Sequence, residues 1–136
     1  MITAIDTNIL VDLFRADRTF GPASKSLVRS CLTEGRLVAC EIVWSEVACL
    51  FPSPESAIDA MNRLGVEFSA MELDAALKAS LAWKDCKRRG GSRDRLVADF
   101  LIGAHAMTQS DRLLTRDRGF YRTYFSRLRI LDPSKS

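Results

Sequence analysis

The sequence predicts an α/β protein in which short apolar strands alternate with longer helices. The first observation is an apolar, β-branched run at residues 2–5, which is typical of a strand buried on both faces. The second is that segments with helical spacing separate the later runs of this kind. Right-handed crossovers between such strands give a mostly parallel sheet with helices on both faces. We therefore expect a three-layer α/β/α domain.

Length and composition indicate one globular domain over residues 1–136. The chain is 47% hydrophobic and 27% charged, which is enough to form a core without disulfides or a structural metal. No apolar run is long enough to span a bilayer, and the first residues lack the pattern of a signal peptide. We expect a cytoplasmic protein without membrane contact. The four cysteines form no C-x-x-C pair, so we expect buried or inert thiols.

Caps and apolar stripes define the elements of the first half. Thr7 or Asn8 is expected to cap the first helix. Gly21-Pro22 opens a second helix that Gly35 closes. The remaining elements predicted here are a strand at 37–40, an apolar helix at 42–51, a helix from Ser53-Pro54 to Gly65, and a strand at 66–68.

The second half begins with an S-x-x-E pattern, Ser69 to Glu72, which predicts a capping box. The helix behind it is expected to bury Leu73, Leu77 and Leu81, which lie one turn apart. The elements that follow are a helix at 99–106, a strand at 112–115, an aromatic turn or helix at 119–125, and a strand at 128–131.

Four carboxylates occupy positions where a purely structural role is strained. Asp6 follows the first strand, Asp117 follows the fourth, and Asp6 and Asp117 would end side by side if these strands are neighbours. Glu46 interrupts an apolar helix, and Asp99 opens another. Two carboxylates about 4 Å apart repel by roughly 4 kcal/mol at an effective dielectric of about 20, so a cluster requires protons or cations. Oxygen ligands without Cys or His favour Mg²⁺ or Mn²⁺.

Structural interpretations stay open for each of these residues taken singly. Asp6 could cap the first helix, Asp99 could interact with a helix dipole, and Glu46 could be exposed. Similar interpretations apply to other residues: packing for His105, Trp44, Trp83 and the aromatic pairs at 120–121 and 124–125, and surface or capping roles for Asp12, Asp94 and Asp111. The coincidence of four carboxylates favours a site.

The only histidine, His105, excludes a metal-independent nuclease that uses two histidines as acid and base. The net charge is +3, and the second half of the chain holds most of the basic residues. Six arginines lie between Arg112 and Arg129 against Asp117 alone. Such a cluster attracts a polyanion such as RNA, although a charged run is more often a solvated face.

The order of these motifs resembles that of the PIN-domain nucleases, and their size and spacing resemble those of VapC-type toxins. The resemblance covers nearly the whole chain and rests on Asp6-Thr7-Asn8, Ser45-Glu46-Val47, the segment from Asp99 to Ala106, and Leu113-Leu114-Thr115-Arg116-Asp117.

The resemblance implies a sheet ordered 3-2-1-4-5 and an Mg²⁺- or Mn²⁺-dependent endoribonuclease whose site a cognate VapB-type antitoxin blocks. Asp6 and Asp99 would be the main metal ligands, and Asp117 would complete the cluster directly or through water. Glu46 would hold a metal-activated water or a second metal. Asn8 and Thr115 would be supporting polar groups.

Many relatives are dimers whose paired sites form a basic groove, so the resemblance also implies a homodimer or a toxin–antitoxin hetero-oligomer. We expect Arg93, Arg116 and Arg118 to contact RNA in such a groove. The stretch from Lys87 to Arg95 is more basic than expected of a generic member, and it suits either RNA or antitoxin.

Two other functions compete with this interpretation. A catalytically inactive PIN-like module would bind RNA or a partner, but such a module has no need of four clustered carboxylates. A phosphotransfer domain of similar topology is the other. Receiver domains need an acidic pair after the first strand and a phosphoacceptor Asp after the third, and haloacid-type phosphatases need D-x-D where this chain has Asp6-Thr7-Asn8.

Overall fold

We describe the fold from a computed structural model, which describes residues 1–90 and 97–134. Its elements alternate as predicted. In chain order they are β1 (Ile2–Ile5), α1 (Thr7–Phe14), α2 (Gly21–Glu34), β2 (Arg36–Ala39), α3 (Glu41–Ala48), α4 (Pro54–Leu64), β3 (Val66–Phe68), α5 (Leu73–Arg88), α6 (Val97–Gln109), β4 (Arg112–Leu114), α7 (Arg118–Tyr124) and β5 (Ile130–Leu131).

The strands form one sheet in the order β3-β2-β1-β4-β5, and each pair is parallel. This confirms the three-layer α/β/α class and the strand order. β1 lies at the centre, between β2 and β4, and the order of the strands reverses there. In parallel sheets, the crevice at the carboxyl ends of the strands beside such a reversal is the usual binding place.

The junction of β1 and β4 sets the positions of the residues that follow both strands. Ile5 lies opposite Leu114 in the parallel ladder. The backbone N–H of Asp6 extends this ladder by donating to the carbonyl of Leu114 at 3.0 Å. Asp6 and Thr115 are therefore neighbours at the carboxyl edge of the sheet.

The N-cap of α1 is Asp6, as one of the open interpretations allowed, and not Thr7 or Asn8. The helix begins at Thr7, and Asp6 is its cap, with its side chain accepting a hydrogen bond from the Thr7 backbone N–H. Asp, Thr and Asn are all good caps, so residue type alone does not select among three consecutive candidates. The strand ends at Ile5, and Asp6 still has extended backbone dihedrals, so Asp6 rather than Thr7 or Asn8 is left as the cap.

The predicted ends of α2 and α4 are confirmed. α2 ends before Gly35. Ser53 forms a capping box with Ser56 at the start of α4, and Gly65 ends that helix with a φ of 89°, a conformation that favours glycine. The packing role expected of Trp83 was wrong, because this residue is exposed on α5.

The orientation of α5 contradicts the prediction. Leu73, Leu77 and Leu81 are exposed. The buried positions of this helix are small: Ala75, Ala79, Ala82 and Cys86. Small side chains allow close helix packing. The leucines recur with the same helical period as these small residues, so spacing alone does not show which side of the helix is buried. The expected capping box is also absent, since Glu72 is the N-cap and makes no side-chain cap bond.

Aromatic packing connects α6 to α7. The ring of Phe100 lies edge-on to Phe120, with centroids 5.0 Å apart, and contacts Tyr124 at 5.4 Å. A Cβ on Gly103 would approach the Phe125 ring to 2.5 Å, so this close approach requires glycine. The packing role predicted for these aromatics is confirmed. It holds the start of α6, which bears Asp99, against the helix that follows β4.

None of the helices in the described part of the chain is both long enough and apolar enough to cross a membrane. Cys31, Cys40 and Cys86 are buried thiols, as predicted, and Cys49 is an exposed one.

Candidate active site

Asp6 is a buried carboxylate that accepts several hydrogen bonds at the carboxyl edge of the sheet. Its side chain is buried, with only 4% of the residue exposed. Oδ1 accepts from the Thr7 backbone N–H at 2.7 Å. Oδ2 accepts from the hydroxyls of Thr115 at 2.8 Å and Tyr121 at 3.0 Å, and from the amide of Asn8 at 3.4 Å. These donors fix the plane of the carboxylate, and most of them bind Oδ2.

Burial changes the acidity of Asp6. Its pKa is raised from 3.8 to about 6, chiefly by desolvation, and the nearby charge of Asp99 contributes to the rise. The hydrogen bonds from Thr115, Tyr121 and Thr7 lower the pKa and offset part of this effect. A carboxylate that is costly to ionise in the free protein is one that a cation would stabilise.

Tyr121 shows that three of the predicted carboxylates converge. Its side chain is fully buried, and desolvation raises its pKa well above 10. The charges of Asp6, Asp99 and Asp117 raise that pKa as well. All three carboxylates therefore lie within electrostatic reach of one hydroxyl group.

Glu46 lies beside the start of α1. Its Oε1 accepts a hydrogen bond from the Thr7 hydroxyl at 2.8 Å, and Thr7 also donates its backbone N–H to Asp6. The residue is exposed, as one of the open interpretations allowed. Through Thr7, α3 thus brings a fourth carboxylate to the edge that holds Asp6.

Asp117 was expected beside Asp6 at the end of β4. The residue after β4 that contacts Asp6 is Thr115. Its hydroxyl donates to Asp6, and it accepts from the Asn8 amide at 3.3 Å and from the Asp117 backbone N–H at 3.0 Å. Asp117 lies two residues further along the chain and is partly exposed. Both supporting residues proposed from the sequence, Asn8 and Thr115, therefore contact Asp6 directly.

The basic residues at this edge are engaged by acids. Arg116 binds Asp12 through two nitrogens, Nε to Oδ2 at 2.6 Å and Nη2 to Oδ1 at 3.1 Å, and its guanidinium lies 4.2 Å from the centroid of the Phe20 ring. Arg118 lies 3.7 Å from the buried Asp132. Arg93 and Asp94, proposed from the sequence, lie outside the described residues.

Asp12 was expected at the surface or at a cap, and this was wrong. It is buried, and its carboxylate forms the ion pair with Arg116. The backbone N–H of Arg116 also donates to Asn8 Oδ1 at 3.2 Å. Asp12 therefore anchors the loop that joins Thr115 to Asp117.

His105 is a packed residue, as predicted. It is buried, and its Nε2 lies 3.0 Å from the Ser69 hydroxyl. Burial lowers the pKa of its imidazole, which favours the neutral form at pH 7. This environment gives His105 a structural role between α6 and the segment after β3.

The donor set of the site suits a hard divalent cation. Within residues 1–90 and 97–134, no three His, Cys, Asp or Glu side chains are placed closely enough to hold one metal ion together. Mg²⁺ nevertheless commonly takes only one or two carboxylates, with water and substrate phosphates as its other ligands. Asp6 and Asp99 interact electrostatically and supply oxygen donors only, which fits that mode.

Tyr121 and Asp12 are the polar residues of this edge that sequence reasoning missed. Tyr121 lies in an aromatic segment whose packing role is confirmed, and its hydroxyl also donates to Asp6, a contact that spacing does not reveal. A weak signal was available, because Tyr121 lies one helical turn after Asp117. Asp12 lies one turn after Asn8 in the same way.

A family model described as PIN domain matches residues 3–126. Comparison with curated proteins finds no match. Several solved structures have a similar fold. A chain of VapBC2 from Rickettsia felis, bound to a promoter DNA fragment, superposes with a TM-score of 0.77 and 16% identity, covering 97% of this chain and 98% of that one.

Two further structures bear the same likeness. For VapBC-1 from nontypeable Haemophilus influenzae the TM-score is 0.76 and the identity 22%, with coverage of 99% and 100%. For VapC20 of Mycobacterium tuberculosis, described as a toxin that cleaves the sarcin-ricin loop, the values are 0.60 and 18%, with coverage of 93% and 98%. At these identities the likeness concerns the fold, whereas the family model spans most of the sequence and includes Asp6, Glu46, Asp99 and Asp117. The chain belongs to the PIN domain family.

Proposed function

We propose that this protein is a divalent-metal-dependent endoribonuclease and the toxin of a VapBC-type toxin–antitoxin pair. The observation that carries the proposal is the buried carboxylate of Asp6. It lies at the central reversal of the sheet, is held by Thr115 and Tyr121, and interacts with the charge of Asp99. A structural cap needs neither this burial nor a second carboxylate.

Asp6 and Asp99 are the residues that would hold Mg²⁺ or Mn²⁺, with Asp117 completing the set directly or through water. The cation would neutralise charge on the scissile phosphate and lower the pKa of the attacking water. Thr115 and Tyr121 keep the Asp6 carboxylate in one orientation. Glu46, exposed next to Thr7, adds an acceptor that can orient water or bind a second cation.

RNA binding in this account relies on Arg118, Arg116 and Arg93, which flank the carboxylates in sequence. Arg118 is partly exposed despite its contact with Asp132. Arg116 has a double role, because its guanidinium holds Asp12 while about a third of its side chain is accessible. Neutralisation of phosphates by such groups gives affinity that falls as salt rises.

The partners proposed are an RNA substrate and a cognate VapB-type antitoxin, in a homodimer or a hetero-oligomer. The support is the likeness to chains from VapBC and FitAB complexes, the latter from Neisseria gonorrhoeae. We propose that the antitoxin covers the carboxylate edge. A cytoplasmic location suits both partners.

The test is cleavage of a total RNA pool by the purified, antitoxin-free protein with Mg²⁺ or Mn²⁺. We expect cuts at discrete sites, lost in EDTA and in the Asp6→Asn and Asp99→Asn variants. Asp59→Asn is the matched control. Asp59 forms an exposed ion pair with Arg63 on α4, so this variant should cleave RNA normally. Cleavage that survives chelation or either site substitution would overturn the proposal.

A second candidate is a PIN-like module that binds RNA or a partner without cleaving. It is favoured by the lack of a three-carboxylate metal group within residues 1–90 and 97–134. The same assay separates the two functions. A binding module would bind RNA without cleaving it in the presence of any metal, and Asp99→Asn would leave its RNA affinity unchanged.

A further inference from the structure

An open cavity, which we call the corner cavity, lies where the chain turns from α1 into α2. Its volume is about 610 Å³, which is within the range of pockets that bind small ligands. Leu13, Ala16 and Pro22 supply its apolar lining. Two exposed cations, Arg18 and Lys25, belong to the same lining. The candidate active site uses none of these five side chains, so the cavity needs an account of its own.

The loop between α1 and α2 is held in place by its own contacts. Oδ2 of Asp17 accepts hydrogen bonds from the backbone N–H groups of Thr19 at 3.1 Å and Phe20 at 2.7 Å. The centroid of the Phe20 ring lies 4.2 Å from the guanidinium of Arg116. A wall that is already ordered loses less conformational entropy when a ligand binds. The corner cavity is therefore formed in advance of its ligand.

A series of direct contacts joins the corner cavity to the carboxylate edge. Asp12 belongs to the lining and accepts two hydrogen bonds from the Arg116 guanidinium, at 2.6 and 3.1 Å. The backbone N–H of Arg116 donates to Asn8 Oδ1 at 3.2 Å, and the Asn8 amide donates to Asp6 at 3.4 Å. A ligand in this cavity would therefore lie beside the residues that surround the Asp6 carboxylate.

The cations of the lining are available to an anion. In the part of the chain that the structure describes, Arg18 and Lys25 form no ion pair, whereas Arg116 is held by Asp12. Because Arg116 neutralises Asp12, the two cations face one further acid of the lining, Asp17. The balance is positive, and a positive wall attracts a polyanion.

We propose that the corner cavity binds one nucleotide of the RNA substrate, close to the scissile bond. The phosphate lies against Arg18 and Lys25, and the base packs on the apolar lining. Single-stranded RNA suits such a cavity, because its unstacked bases turn out of the strand and expose their faces to protein side chains. The inference rests on the proposed function for RNA as the polyanion, and it adds a contact outside the carboxylate edge.

The first experiment measures RNA affinity by fluorescence anisotropy in the full chain carrying Asp99→Asn. Lys25→Gln and Arg18→Gln each remove one cation of the cavity. Arg29→Gln is the matched control, since Arg29 is exposed one turn after Lys25 on α2 and lies outside the cavity lining. We expect each cavity variant to bind RNA roughly fourfold more weakly at about 0.15 M salt, with the slope of log affinity against log salt reduced by roughly 0.7. Cavity variants that bind RNA like the control would overturn the proposal.

This design separates the cavity from the nuclease activity, because binding is measured in a variant in which cleavage is expected to be lost. If the protein with an intact site cleaves RNA while Lys25→Gln leaves RNA affinity unchanged, the nuclease proposal stands and the nucleotide site is wrong. If Lys25→Gln weakens RNA binding while the protein with an intact site cleaves nothing, the nucleotide site stands and the nuclease proposal is wrong.

The second experiment follows methyl NMR signals of the Asp99→Asn protein during titration with a short single-stranded oligoribonucleotide, and separately with inorganic phosphate. We expect the oligonucleotide to shift the signals of Leu13 and Ala16 and to leave that of Ile58, which is exposed on α4, in place. The same shifts should be weaker at equal concentration in Lys25→Gln. Unshifted Leu13 and Ala16 signals would overturn the proposal, and equal shifts with inorganic phosphate would show that an anion binds without a base and would also overturn it.

Discussion

The hydroxyl of Tyr121 donates a hydrogen bond to Oδ2 of Asp6 at 3.0 Å, and both side chains are buried. This bond ties α7 to the end of β1. It also lowers the pKa of Asp6, which opposes the effect of burial. Tyr121 therefore acts through Asp6, as a residue that positions the carboxylate.

Replacement of Tyr121 by Phe tests that role. The ring stays in place, and the lost hydrogen bond to a buried carboxylate should lower the free energy of unfolding by about 1.5–3 kcal/mol. Because one of the groups that stabilise ionised Asp6 is gone, Mn²⁺ binding should weaken and require a higher pH. Calorimetric titration at several pH values measures both. Tyr124→Phe is the control, since its ring belongs to the same aromatic cluster. Equal metal affinity and pH dependence in Tyr121→Phe and wild type would contradict the role.

The raised pKa of Asp6 predicts an unusual dependence of stability on pH. The folded state binds this proton more tightly than the unfolded state, so stability contributed by Asp6 grows as pH falls through about 6 and is complete below 3.8. The shift corresponds to roughly 3 kcal/mol in the metal-free protein. Urea unfolding of wild type and Asp6→Asn between pH 4 and 7 isolates this contribution as the difference between them. A constant difference across that range would show that Asp6 titrates normally.

The ion pair between Asp12 and Arg116 should matter more than pairs at the surface. Asp12→Ala leaves a partly buried guanidinium without its carboxylate, which should cost about 2–4 kcal/mol, below the range for fully buried pairs because Arg116 is partly exposed. Asp59→Ala breaks the exposed pair with Arg63 and should cost less than about 1 kcal/mol. Chemical denaturation measures both, and similar costs for the two variants would be evidence against an anchoring role of Asp12.

The proposed contact of Arg118 with RNA predicts a change in salt dependence. In the Asp99→Asn background, Arg118→Gln should weaken RNA binding and reduce the slope of log affinity against log salt by roughly 0.7, the value for one phosphate contact on a single strand. Arg63→Gln, on α4, should leave both unchanged. Fluorescence anisotropy across a salt series gives the slopes. If Arg118→Gln binds like the control, the arginine serves only its pair with Asp132.

Local chemistry predicted much of this fold. Ser53, Gly35 and Gly65 were identified because caps depend on a few neighbouring residues. The strand order followed from the family resemblance, since pairing between distant strands is not written in any short segment. The side that α5 presents to the domain was predicted wrongly, because Ala79 and Leu77 both fit a helical period and only the space beside α6 selects between them.

The candidate site was predicted in part for a similar reason. Asp6, Asn8 and Thr115 follow strands that proved to be neighbours, so topology brought them together. Tyr121 and Asp12 reach the same edge from helices, through single side-chain contacts over more than 100 residues of chain. Such contacts depend on the packed structure, and the roles of all these residues in catalysis remain predictions.

The most direct measurement is a calorimetric titration of the antitoxin-free protein with Mn²⁺ at pH 7, beside Asp6→Asn, Asp99→Asn and Asp59→Asn. We expect saturable binding by wild type and by Asp59→Asn, and a loss of most of that affinity in each of the other two variants. Binding that is absent in wild type, or unchanged in Asp99→Asn, would contradict the claim that Asp6 and Asp99 together form the metal site of a nuclease.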